Sequence, residues 1–149
     1  MDGGVLVQFK DLGLELVLGL SALGSAVGAG VAGMAAIGAW KKNFSQNKSA
    51  SFLLVALVGA PLTQTIYGNI VMTKMIELAN AGQYLWGIGA FAGLAMGASA
   101  LFQGKCGACA CDAMGETGKG FGNYLAVLGI VETVALFVMV FTLIVLGKM

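Results

Sequence analysis

The chain contains no histidine, no arginine and one proline, and only 10% of its 149 residues are Asp, Glu, Lys or Arg, for a net charge of about +1. With so little charge there is no basic field, so nucleic-acid binding has no electrostatic footprint. The missing histidine bears on the cysteines. Cys106, Cys109 and Cys111, in K-C-G-A-C-A-C, make a poor isolated zinc site, because a closed tetrahedron needs a fourth thiolate or an imidazole. They read as small-volume packing near a helix end. The N-terminus lacks a basic region feeding a short apolar stretch and a small-residue cleavage site. Asp2, Lys10, Asp11 and Glu15 precede the first apolar run instead, so that run is expected to be retained.

What fills the chain is apolar: 58% of residues are hydrophobic and 24 are glycine, a composition outside the range of soluble domains. Residues 16–40, 49–73 and 78–104 carry no charge, and 120–147 carries only Glu132. Each gap exceeds the ~20 residues that a helix needs to cross a bilayer. The expected fold is an all-α membrane protein with four transmembrane helices at about 12–40, 50–76, 82–111 and 119–147. The separators are Lys41–Ser49, Glu77–Ala81 and Asp112–Lys119, and an even number of crossings returns both termini to one side. Lys41, Lys42 and Lys48, with Lys119 and nearby Lys105, outnumber Lys10, Lys74 and Lys148. That bias predicts cytoplasmic loops at 41–49 and 112–119 and outward termini.

The chain reads as duplicated. Gly24-S-A-V-Gly28-A-Gly30 lies over Gly93-L-A-M-Gly97-A-Ser99 with an offset of 69, and each stretch leads into a polar loop and another apolar helix. Two tandem hairpins in parallel repeat, 1–76 and 77–149, are the expected units. This differs from the inverted repeats of many transporters. Gly24, Gly28, Ala32 and Ala36 recur at intervals of four, as do Ser21, Ser25, Ala29 and Gly33, and as do Gly89, Gly93 and Gly97. Small faces let helix backbones approach closely, so the first and third helices are expected to be surrounded by other helices. The second and fourth carry Phe52, Leu53, Leu54, Leu57, Phe137, Phe141, Leu143 and Ile144, which suit lipid.

Glu132 is the one ionisable residue in 125–145. A carboxylate at that depth needs a cation, a proton or a cage of donors, which makes it a candidate ion-carrying site. Thr63, Gln64 and Gln103 fall at similar depth. In P-L-T-Q-T-I-Y-G, Thr63, Gln64 and Tyr67 share one helical side. Pro61 cannot donate a backbone hydrogen bond, which loosens the ladder and frees a carbonyl such as that of Ala60. Oxygen ligands of this kind suit a hard alkali cation: Glu132 brings charge, Thr63 a hydroxyl, Gln64 and Gln103 amide oxygens and Ala60 a carbonyl, while Tyr67 orients the carboxylate. This polar capacity favours Na⁺ as cargo over H⁺, the alternative. Packing roles stand beside these: Thr63 bonding back to its own helix, Gln103 joining helices, Tyr67 as an aromatic filler.

In order and spacing, G-S-A-V-G-A-G-V-A-G, P-L-T-Q-T-I-Y-G, F-Q-G-K and V-E-T resemble the proteolipid (K or c) subunits of bacterial V-type ATPases, particularly the Na⁺-translocating kind, over essentially the whole chain. The resemblance implies that Glu132 is the ion-binding carboxylate, that Thr63, Gln64, Gln103 and the Ala60 carbonyl complete the Na⁺ shell, and that Tyr67 is the carboxylate's hydrogen-bond partner. It further implies a rotor ring of identical subunits with the first and third helices inside. The partners would be a stator subunit supplying an arginine, a central-stalk subunit and membrane lipid, and this chain would have no catalytic role of its own. A small autonomous ion or drug transporter, and a noncatalytic tetraspan structural protein, are the other classes compatible with four apolar helices and one buried carboxylate.

Overall fold

The computed structural model describes residues 3–149, with side chains described from residue 12 onward. Asp2 and the side chains of Lys10 and Asp11, which enter the reading of the N-terminus and the lysine bias, lie outside the described residues. The described chain is helical: α1 (Gly3–Ser45), α2 (Leu54–Gly59), a 3₁₀ turn (Ala60–Leu62), α3 (Thr63–Asn80), α4 (Trp86–Thr117) and α5 (Phe121–Leu146). α2, the 3₁₀ turn and α3 run on as one span, so four helices are long and apolar enough to cross a membrane. The protein is a multi-pass membrane protein built as an all-α bundle.

Helix ends differ from those expected from hydropathy. α1 continues through Lys41 and Lys42 to Ser45, and α4 continues through Asp112 and Glu116 to Thr117. The connections accordingly fall at 46–53, 81–85 and 118–120 rather than at 41–49, 77–81 and 112–119. Lysine and glutamate are good helix formers and reach water at a bundle end; backbone geometry is what stops the helix. At the α4–α5 connection Gly118 (φ 68°) and Gly120 (φ 88°) take left-handed conformations, and the Gly118 amide closes on the Met114 carbonyl. Thr117 Oγ1 accepts a hydrogen bond from the Lys119 amide at 3.2 Å. The first loop is held by the Trp40 indole, which donates to the Ser51 carbonyl at 2.8 Å. Lys42 pairs with Glu116 at 3.1 Å, so the ends of α1 and α4 lie at one end of the bundle.

α1 and α4 form the spine. A Cβ on Gly24 would run into the backbone of Gly97, one on Gly104 into that of Gly28, and one on Gly89 into that of Gly13. The partners advance together along both helices, so α1 and α4 run parallel, backbone against backbone. The stripe of Gly24, Gly28, Ala32 and Ala36 is buried here. Of the second stripe, Ser21 and Ser25 are buried while Ala29 and Gly33 are half-exposed. α1 is not surrounded within one chain: Leu23, Met34 and Ile37 remain 61%, 68% and 64% exposed.

The bulky residues divide. Phe52, Leu53, Phe137, Phe141 and Ile144 are exposed, as expected of a lipid-facing surface, but Leu54 and Leu57 are fully buried and Leu143 is half-buried. Small residues on α1 and α4 leave room that α2 fills with leucine, so Leu54 and Leu57 pack with Ala36, Ala110, Cys111, Met114 and Leu128. A second cluster of Val17, Val71, Met75, Leu85, Met96, Ala135 and Leu146 lies toward the opposite end. Between the two clusters the interior turns polar.

Candidate ion-binding site

The proline makes the first element of the site. Pro61 lies within the Ala60–Leu62 3₁₀ turn, and the Thr63 amide closes on the Ala60 carbonyl three residues back. The tighter turn also brings the Thr63 hydroxyl onto that carbonyl at 3.1 Å. Thr63 Oγ1 lies 3.2 Å from Gln64 Oε1 as well. Three oxygens, a carbonyl, a hydroxyl and an amide oxygen, thus gather around Thr63, which is half-exposed at the edge of the bundle.

From there a hydrogen-bonded chain crosses three helices. Gln64, fully buried, donates from Nε2 to Gln103 Oε1 on α4 at 2.8 Å. Gln103, also fully buried, donates from Nε2 to Glu132 Oε2 on α5 at 3.2 Å and to the Leu128 carbonyl at 3.0 Å. On the other side of the carboxylate, the Tyr67 hydroxyl donates to Glu132 Oε1 at 2.7 Å. Ala60, Thr63, Gln64, Tyr67, Gln103 and Glu132, chosen from the sequence for depth and residue type, are therefore brought together in one network. Each carboxylate oxygen faces a donor, the arrangement an ionised carboxylate requires, since it can accept but not donate.

Two contributors escaped sequence reasoning. Ser99 donates to the Val131 carbonyl at 2.9 Å and fastens α4 to α5 beside Glu132. Its signal was available: Ser99 precedes Gln103 by four residues and shares its helical face. The Leu128 carbonyl leaves no trace in side-chain chemistry, because any residue has one.

The cysteines do not act as one packing unit. Cys111 is buried and directs its thiol to the Leu54 carbonyl at 3.9 Å; Cys106 is half-buried and Cys109 exposed. Both of the latter line an apolar groove of about 400 Å³ with Tyr124 and Val127. Lys105 Nζ lies 5.0 Å from the centroid of the Phe102 ring, a cation–π contact.

Residues 86–145, which hold α4, Gln103, most of α5 and Glu132, match the family model of the ATP synthase C subunit. That stretch is about two-fifths of the chain, and over it the chain is similar to that proteolipid family. No curated protein matches the chain.

Proposed function

We propose that the chain is a rotor-ring proteolipid of a V-type ATPase and that it carries Na⁺ across the membrane on Glu132. The observation that carries this reading is the network itself: a mid-span carboxylate fastened by Tyr67 and Gln103, with an oxygen cluster at Ala60, Thr63 and Gln64 joined to it through one amide. In the cargo-loaded state Glu132 supplies the compensating charge. Thr63 Oγ1, Gln64 Oε1, Gln103 Oε1 and the Ala60 carbonyl supply neutral oxygens, and Tyr67 keeps the carboxylate from swinging toward lipid.

Protons are the weaker reading on a specific ground. A protonated carboxyl would need a single acceptor, which the Tyr67 hydroxyl can supply by reversing its hydrogen, and would leave the oxygens gathered at Ala60, Thr63 and Gln64 without a use.

Turnover then follows from electrostatics. Glu132 paired with a cation can pass lipid; Glu132 bare cannot, because an isolated charge in hydrocarbon costs several kcal/mol. A stator arginine, which this arginine-free chain cannot provide, would compete for the carboxylate and release the cargo to the other side. The exposed face of α1, with Leu23, Met34 and Ile37, supports packing against identical subunits, and the two tandem hairpins would be the repeated units of the ring. ATP chemistry would belong to partner subunits reached through a central stalk.

Labelling of Glu132 by a carboxylate-modifying carbodiimide tests the cargo. Protection by Na⁺ is expected; labelling indifferent to Na⁺ and suppressed only at high pH would assign protons instead. Ring formation is read by the mass of the detergent-solubilised assembly, where a monomer or dimer would refute the rotor.

A further inference from the structure

Among the described residues, one buried side-chain polar atom has no hydrogen-bond partner: Ser25 Oγ, in a residue 1% exposed. A buried hydroxyl without a partner costs about 1–3 kcal/mol, so its surroundings need a reason.

The packing of α1 on the second span shows where Ser25 stands. A Cβ on Gly68 would meet Ser21 Oγ at 2.7 Å, and a Cβ on Gly28 would meet Pro61 Cβ at 3.1 Å. From Ser21 to Gly28 the chain advances as many residues as it retreats from Gly68 to Pro61, as antiparallel helices of equal rise must. Halfway between these contacts, Ser25 is level with Gln64. Ser21 and Ser25 are four residues apart and share the face of α1 turned to α3, whereas Gly24 is turned to Gly97 on α4.

Gln64 has a use for that oxygen. Its amide nitrogen carries two hydrogens, one of which goes to Gln103 Oε1, while its carbonyl oxygen meets the Thr63 hydroxyl. An amide presents its oxygen to a cation only if its nitrogen is held on the opposite side.

We propose that Ser25 is a positioning residue of the ion site: its hydroxyl oxygen accepts the second amide hydrogen of Gln64 when cargo is bound, which fixes Gln64 Oε1 toward Thr63 and the cation. Ser21 cannot replace it, because it lies level with Gly68, one turn away from Gln64. The inference rests on the Na⁺ reading of Glu132, and its test separates the two.

In assembled complexes, the Na⁺ concentration that half-protects Glu132 from carbodiimide is measured for the wild type, Ser25→Ala, Gln64→Leu and the double variant. Ser25→Ala is expected to raise that concentration about 3- to 10-fold, the range of one neutral hydrogen bond, and to leave the labelling rate without Na⁺ unchanged. In the Gln64→Leu background the same substitution should add nothing, since the amide it serves is gone. Two results would overturn the proposal: wild-type protection in Ser25→Ala, or an equal effect with and without Gln64, which would make Ser25 a packing residue. A wild type that Na⁺ does not protect would instead remove the Na⁺ reading, and this proposal with it.

Discussion

Tyr67→Phe isolates one hydrogen bond at the carboxylate. The hydroxyl of Tyr67 donates to Glu132 Oε1 at 2.7 Å, and the ring packs beside the cluster around Val71 and Met75. Phenylalanine keeps that packing and deletes only the donor. A hydrogen bond to a charged group in a protein is worth about 1.5–3 kcal/mol. Its loss falls unequally on the two states of the site. On the proposed rotor function, water would replace the tyrosine when the site opens to an aqueous pathway, and nothing would when the site is closed and loaded, facing lipid. The whole cost then appears as weaker cation capture, roughly 10- to 150-fold at about 1.4 kcal/mol per decade. The assay is the Na⁺ concentration giving half-protection of Glu132 against carbodiimide in complexes of normal mass. A change of less than twofold would mean that the tyrosine does not hold the loaded carboxylate, and the argument from the 2.7 Å contact would fail.

Four further outcomes are expected. Glu132→Gln should insert and assemble normally and abolish coupled Na⁺ transport in reconstituted complexes; normal pumping would reject the role of the carboxylate. Gly104→Ala drives a Cβ into the backbone of Gly28 and should cost at least the ~1–3 kcal/mol of an overpacked core, read as loss of assembled protein; wild-type yield would contradict the contact between α1 and α4. A thiol reagent applied to native membranes should label Cys109 and leave Cys111 unreacted until the protein is denatured, as their exposure and burial require; equal labelling would contradict the packing of α4 on α2. Glu116→Ala, which removes a solvent-exposed ion pair with Lys42, should change thermal stability by less than about 1 kcal/mol, measured by the loss of assembled complex on heating.

Much of this architecture was legible in the chain because bilayer physics is blunt. Charge gaps longer than a bilayer gave the four spans, and the small-residue intervals gave the faces through which α1 and α4 meet. The members of the network were legible for a related reason. In an apolar span polar residues are so few that Thr63, Gln64, Gln103 and Glu132 stand out, and matching depth was enough to group them. Helix ends were not legible from hydropathy. Lys41, Lys42, Asp112 and Glu116 look like loop residues by polarity, yet remain helical until glycine geometry or the chain reversal stops them. The burial of Leu54 and Leu57 was also hidden: leucine is equally suited to lipid and to a cleft between glycine-rich helices, and only the packing of neighbours decides. Ser25 looked like one more small residue in a stripe, because its significance depends on the registry between two helices.

The contact between α1 and α4 limits how the molecule can move. Where Gly24 meets Gly97 and Gly28 meets Gly104, main chain lies on main chain, and a turn of either helix about its own axis would bring neighbouring side chains into spaces that hold no Cβ. The pair behaves as a keyed shaft. Any turnover cycle must therefore leave it intact, confining rearrangement to the side chains around Glu132 or carrying the protomer through the bilayer as one undeformed piece.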